Sequence, residues 1–461
     1  MKRQNRVAFF NILSTVLLNC IPLITGPVFS RLLGDSGYGI SKIYNIWVSV
    51  IAILFTMQTH NTLVNALVEY GEEEQKRYHS SVMSLSILVF AVCSALVLLF
   101  LEPVSAFLNL APELVCLMLV QAFGTFCVNF LNTRNTYEFK AGKNMGLSLA
   151  VALMNFCLSL LFVLSMELED RYFGRTAGTA LTYALIGIPA CIQILKRGKV
   201  FYSAEYWKFC ILLAIPSVFH GLSDLILGQS DMLMVRYFLG DAKAGHYGYA
   251  WQFGNILFII FTALNRTWCP FFFEEMKQGK QEAMLRKSRN FLELFTILAC
   301  GFILLTPEIF RVYASRDYWS GTMVIPLFVT SYYINFLCTF PVNFEYYHKK
   351  TKVVAVVTIG SSLLNILLNY FWIQSIGMAG AALATVLSHG VQLALHYLYC
   401  RKLGGGAYPF PVKIWAKYAL GYGVILALVY LTADLALLRW GVGAALGIFE
   451  LLRLRKRKVI I

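Results

Sequence analysis

The chain has 461 residues, 58% hydrophobic and only 14% charged, with a mean hydropathy of +0.64. Soluble domains average roughly 45–50% apolar and about 25% charged residues, so this composition excludes an ordinary soluble enzyme and indicates a polytopic membrane protein. The net charge of +15 invites a nucleic-acid partner, a reading that its distribution along the chain removes.

Fourteen apolar blocks follow one another, near 8–29, 40–68, 81–101, 112–132, 146–166, 177–195, 208–236, 245–268, 290–306, 322–342, 353–373, 378–399, 413–431 and 435–452. Most approach the roughly 18–25 residues that cross a hydrocarbon core about 30 Å thick. Lipid leaves no partner for exposed backbone groups, so the blocks are expected to be helices. A barrel would show alternating segments of about ten residues, and none appear. The last pair is the weakest, because Arg439 falls close to the start of the fourteenth block. The opening MKRQNR reads as the basic flank of the first span, since no small-residue cleavage site follows it.

The first two blocks are joined by FSRLLGDSGYG (29–39), and the seventh and eighth by VRYFLGDAKAG (235–245). Sliding the chain on itself places Arg31 on Arg236, Gly34-Asp35 on Gly240-Asp241 and Phe55-Thr56 on Phe261-Thr262. Further on, NTYEFKAGK (135–143) resembles FEYYHKKTK (344–352), AGTAL (177–181) meets AGAAL (379–383), and Asn155 and Asn365 hold similar places. Matches that keep their order while the offset drifts are what loop insertions leave in a duplicated sequence. Six spans are therefore followed by six related spans and two more. Because six is even, the copies share one orientation, a parallel repeat about an axis along the membrane normal. The expected fold is all-α, with two six-helix lobes around a central cavity: spans 1–6 in residues 1–200, spans 7–12 in 201–404, and two additional helices with a basic tail in 405–461.

Sorting charges by side of the membrane, with edge residues given to the nearer side, puts 29 of the 39 Lys/Arg with both termini and every second loop. Eight fall on the opposite side, and Lys42 and Arg266 lie within spans. Clusters such as KRGK (196–199), HKKTK (348–352) and RLRKRK (453–458) thus follow the positive-inside pattern, which assigns both termini to the cytoplasm. They are expected to contact lipid headgroups, with no nucleic acid. The eleven cysteines show no CxxC pair and read as packing residues, with neither a metal site nor a disulfide framework.

Polar side chains kept inside lipid mark a cavity or a helix contact. In the second span Lys42, Asn45, Ser49, Thr56 and His60 recur at helical spacing on one expected face. The eighth span shows Gln252, Asn255, Thr262 and Arg266 in the same way. Together they suggest a hydrated, cationic cavity with Lys42, His60, Arg266, Asn45, Ser49 and Asn255 as substrate contacts, joined by Arg31 and Arg236 of the repeated loops. The alternative is interhelical hydrogen bonding without substrate. Span seven holds Pro216, a kink site, followed by His220, Asp224 and Asp231, suited either to binding a coupling proton or Na⁺ or to internal ion pairs. Arg134 and Glu138 close the fourth span, with Glu345 in the corresponding place of the second half. They are candidates for a cytoplasmic gate or, for the first pair, a simple surface ion pair. His389 and His396 read as packing residues.

The stretches PVFSRLLGDSGYGISKIY (27–44), SDMLMVRYFLGDAKAGHYGYAW (230–251) and IGMAGAALATVLSHG (376–390) together resemble the oligosaccharide flippases of the polysaccharide transporter family, within the multidrug/oligosaccharidyl-lipid/polysaccharide exporter superfamily. The resemblance implies a transporter, not an enzyme, in the cytoplasmic membrane. It would move undecaprenyl-diphosphate-linked oligosaccharides to the outer leaflet by alternating access, alongside a polysaccharide polymerase and glycosyltransferases. No cofactor is expected beyond a coupling ion. A diphosphate needs Lys or Arg in a partly desolvated site; sugars need amides, hydroxyls and aromatic faces, and the chain offers 25 Tyr and 8 Trp. A peptidoglycan-precursor flippase and a multidrug or cation antiporter are the alternatives. A membrane glycan polymerase or ligase would need a large catalytic outer loop, whereas 307–321 (PEIFRVYASRDYWSG) is short.

Overall fold

The computed structural model describes residues 2–138, 140–404, 410, 412–432 and 435–457; the side chains of 2–23 and of scattered later positions, Asp224 and Arg266 among them, lie outside the described residues. Among the described residues every regular element is a helix. They run α1 (Lys2–Phe55), α2 (Leu63–Glu69), α3 (Glu72–Leu99), α4 (Leu101–Leu108), α5 (Pro112–Tyr137), α6 (Ala141–Leu164), α7 (Arg171–Gly198) and α8 (Ala204–Leu239). The second half continues with α9 (Asp241–Lys277), α10 (Gln281–Tyr313), α11 (Ile325–Tyr347), α12 (Thr351–Ile376), α13 (Met378–Gly404), α14 (Val412–Leu431) and α15 (Ala436–Arg457). Eleven described helices are long and apolar enough to cross a membrane, and Ala436–Phe449 is a shorter apolar helix. The expected spans fall on helices, the second only in part: α1 carries the first and the start of the second across a kink at Gly34, and α9 and α15 carry the eighth and fourteenth.

The chain divides into two compact units, 1–233 and 234–461. The division falls inside α8, not in the expected loop near 200. The reason is local packing: Tyr206, Cys210 and Ala214 of α8 share a core with Tyr78, Val82 and Phe126, and Trp207 donates its Nε1–H to the Ser81 carbonyl at 3.0 Å. At the other end, α14 and α15 pack on α10 inside the second unit, where Trp415 lies among Phe340 and Phe410. Arg439, the charge that made the last span insecure, is 1% exposed. Its guanidinium is ion-paired to Glu308 and bonded to the Thr432 carbonyl, so the charge enters the bundle with its partners attached.

The duplication is visible in each unit's internal packing. In the first, α7 lies against α5 and α6; in the second, α13 lies against α11 and α12. Helices in lipid gain little from apolar burial against each other and depend on close packing of small residues. The matched AG-AL motifs supply it. A Cβ at Gly178 would sit 2.5 Å from Ser159 Cα, and one at Gly380 would sit 2.1 Å from the Trp372 carbonyl oxygen. The repeated Leu-Gly-Asp loops also share one conformation, with Gly34 at φ 68°, ψ 178° and Gly240 at φ 87°, ψ 174°, a region open essentially only to glycine. The aspartate after each glycine opens the next helix, where a negative charge suits the dipole.

One expected element is corrected. The second span was read as a continuous helix over 40–68, but α1 ends at Phe55, Met57 and Gln58 take left-handed conformations, and Thr59–Thr62 form a 3-10 turn. Backbone turn bonds replace helical ones, with Thr59 N–H donating to the Thr56 carbonyl at 3.3 Å and Asn61 N–H to the Gln58 carbonyl at 2.9 Å. Side chains anchor the turn: Thr59 Oγ1 lies 2.5 Å from Ser86 Oγ, and Thr62 Oγ1 lies 2.7 Å from Tyr78 OH. Asn61 donates to Ser217 Oγ at 2.8 Å. His60 therefore leaves the polar face that begins at Lys42.

Candidate substrate-binding site

Beyond Gly34, α1 is two-sided. Tyr44, Val48 and Ile51 are buried in a core with Leu114, Val115 and Met118 of α5. The other side carries Lys42 and Ser49, half-buried, and Asn45, exposed. Asn45 Oδ1 accepts from Gln121 Nε2 at 3.1 Å while its own amide donates to the Ser41 carbonyl at 2.7 Å. The Lys42 ammonium lies 5.2 Å from the centroid of the Tyr38 ring, within cation–π range.

The residue that turns this face into a site is Arg175, which the sequence boundaries left in a loop. Helix α7 starts at Arg171, six residues before the expected start at 177, and so draws Arg175 into the bundle. Nη1 donates to Asn155 Oδ1 at 3.0 Å and to Ser159 Oγ at 2.6 Å. Asn155 Oδ1 also accepts from Thr179 Oγ1 at 3.0 Å. The guanidinium carbon lies 3.9 Å from the centroid of the Phe29 ring. Among the described residues its hydrogen-bond partners are all neutral, and only Nη1 is engaged. Lys42 is close enough for the two cations to repel. In the second unit Asn365 reaches the facing helix by a different bond, Nδ2 donating to Thr385 Oγ1 at 3.2 Å, and Ala381 and Gly377 stand where the repeat would place Thr179 and Arg175.

Two cations in reach of each other's charge, with part of the Arg175 guanidinium fork open among the described residues, suit an anion with several oxygens. Tyr38 and Phe29 add ring faces, and Asn45 and Ser49 add polar groups. A single buried arginine costs about 2.5–3.5 kcal/mol at a helix centre on the insertion scale, so retaining it calls for a compensating role.

The other expected site residues lie elsewhere. The His60 ring packs edge-on against Phe126 at 6.0 Å, with Nδ1 buried and unpaired. Arg31 is exposed before the Gly34 kink. Arg236 donates from Nε to Asp241 Oδ1 at 2.6 Å, bracing its loop. Asn255 is half-buried on α9, and the Arg266 side chain lies outside the described residues. On α8, His220 is exposed and Asp231 accepts from the Met232 backbone N–H at 2.9 Å; the Asp224 side chain also lies outside the described residues. Arg134 Nε and Glu138 form an ion pair at 3.6 Å, and Lys140 pairs with the same carboxylate. Burial works against ionisation of Glu138, but Lys140 and Arg134 more than offset it and hold the carboxyl below its ordinary range.

Glu345 is not at a mouth. It is fully buried with His396, whose Nδ1 lies 2.9 Å from Oε1, and Cys400 Sγ lies 3.5 Å from the same oxygen. His396, read as simple packing, is therefore half of an acid–imidazole pair. His389 Nδ1 lies 3.1 Å from the Ser331 carbonyl.

With this geometry in place, comparison with known proteins decides the family. Residues 6–276, well over half of the chain and all of the Lys42–Arg175 cluster, match the family described as "Polysaccharide biosynthesis protein". The chain belongs to that family. Among curated relatives, the probable low-salt glycan biosynthesis flippase Agl15 of Haloferax volcanii is 21% identical over 388 residues, covering 80% of this chain and 78% of the relative. Among solved structures, the lipid II flippase MurJ in an inward closed conformation matches with TM-score 0.72 and 17% identity over 99% of each chain. An inward-facing multidrug resistance MATE family transporter of the MOP superfamily matches with TM-score 0.66 and 12% identity, over 84% of this chain and 97% of its own. The polysaccharide biosynthesis protein thus has an all-α transporter fold, one that also serves proteins with different cargoes.

Proposed function

We propose that this protein is a flippase that carries polyprenyl-diphosphate-linked oligosaccharides, with undecaprenyl as the lipid, from the cytoplasmic to the outer leaflet by alternating access. It would act in the cytoplasmic membrane with both termini inside, alongside the glycosyltransferases that build the glycan and the polymerase that extends it. The observation that carries this reading is Arg175, whose hydrogen-bond partners among the described residues are the neutral Asn155, Ser159 and Thr179, with Lys42 in reach of its charge. Family membership and the name of the Haloferax relative support the same cargo class. A proton or Na⁺ gradient is the proposed drive, with His220, Asp224 and Asp231 as the groups that would bind the ion.

The test is translocation of a fluorescent lipid-linked oligosaccharide in proteoliposomes. Arg175→Gln is expected to slow translocation at least tenfold, a loss of about 1.4 kcal/mol or more, and Lys42→Gln to slow it less. Unchanged rates in both variants would remove the cluster from the mechanism. A second reading, transport of a peptidoglycan precursor, draws on the end-to-end match to the lipid II flippase; lipid II in the same assay separates the two.

A further inference from the structure

At the end of the first unit that carries the loops near 70, 139 and 200, a cavity of about 360 Å³ opens between α3, α5 and α7, within the size range of small-molecule sites. It is separate from the Lys42–Arg175 cluster. Gln121, which touches Asn45, and Arg134, which lines the cavity, are thirteen positions apart on α5, about 20 Å along the helix.

Four cations line the cavity, Lys76, Arg134, Lys140 and Arg197, against two carboxylates, Glu72 and Glu138. The balance is less even than that count suggests. Glu138 is committed to Lys140, and its contact with Arg134 is 3.6 Å, too long for a hydrogen bond. Lys76 is turned to Glu73 at 2.6 Å. Arg134 is 7% exposed, and its Nε is buried with no acceptor, which leaves a desolvated charged donor uncompensated. Arg197 is exposed, has no ion-pair partner among the described residues, and is near enough to repel both Arg134 and Lys76. His79, 9% exposed, completes the wall.

We propose that this cavity is a second anion site, one that binds phosphate groups at the loading side of the protein. A phosphate oxygen would satisfy the Arg134 Nε–H, and its charge would relieve the repulsion between the two guanidinium groups. The phosphate can come from two sources, the diphosphate of the lipid-linked cargo or the headgroup of a bilayer phospholipid. Only the assignment to a loading step rests on the flippase reading; the binding chemistry does not.

The experiment is calorimetric titration of inorganic pyrophosphate into the full-length protein in phosphatidylcholine nanodiscs at fixed ionic strength. In the Arg175→Gln background, which silences the deeper cluster, pyrophosphate binding is expected to persist and to weaken at least tenfold when Arg197→Gln is added. In the parent background, Arg197→Gln is expected to remove one of two binding classes. Arg197 is exposed, so its loss is compatible with folding. Absence of binding in Arg175→Gln, or binding indifferent to Arg197→Gln in both backgrounds, overturns the proposal. Replacing half of the phosphatidylcholine by phosphatidylglycerol tells the sources apart: a weakened pyrophosphate affinity assigns the site to phospholipid, an unchanged one to the cargo diphosphate. Arg197-dependent binding in a parent protein that translocates no lipid-linked oligosaccharide would sink the flippase reading and leave this site standing.

Discussion

Arg175 shows how one side chain is committed by its neighbours and left open at the same time. Nη1 is held by Asn155 and Ser159, which fixes the orientation of the fork while the rest of it stays available. The sequence showed Asn155 and the AG-AL motif beside it, yet the arginine two positions before that motif was assigned to a loop. A helix start moved by six residues was enough to hide it. Glu345 and His396 illustrate the opposite outcome, since both were visible but their pairing across 51 positions was not. Removing one member of a buried hydrogen-bonded pair leaves the other unsatisfied, at about 1–3 kcal/mol or more. Glu345→Ala is therefore expected to lower the thermal unfolding temperature of the purified protein far more than Glu138→Ala, whose carboxylate is partly exposed. Equal shifts would mean that the buried pair contributes nothing special.

Helices and their joints depend on glycine at a few positions that can be checked separately. Nothing lies within 4 Å of a Cβ built at Gly34, so Gly34→Ala would test backbone strain alone, with an expected cost of about 1–3 kcal/mol. Gly71, at φ −65° with equally open space, is the matched control and its alanine variant should be nearly neutral. Gly178 has the reverse problem, a permissive helical backbone with no room beside Ser159. Gly178→Val is expected to force α6 and α7 apart at a cost of about 1–3 kcal/mol. Thermal unfolding in detergent measures all three, and a Gly34→Ala variant as stable as Gly71→Ala would refute the strain argument. The sequence flagged Gly34 and Gly178 through the repeat. It gave no sign of the break after Phe55, because no Gly or Pro marks it and contacts from α3 and α8 create it.

For the molecule as a whole, the charge asymmetry makes a topological prediction. Single cysteines at Lys199 and Asp317 in a cysteine-free background should label differently with a membrane-impermeant maleimide. Asp317→Cys should react in intact cells and Lys199→Cys only after permeabilisation; the reverse pattern would invert the orientation. The all-helical fold and the matched Leu-Gly-Asp and AG-AL motifs followed from the sequence alone, because lipid forces backbone groups into helices and a repeat keeps its order under insertion. Tertiary structure alone decided that α8 joins the first unit up to Leu233, that Arg439 enters paired with Glu308, and that Arg175 is held by Asn155 and Ser159. Each of these depends on contacts between different helices, and periodicity within one helix carries no information about which other helix will face it.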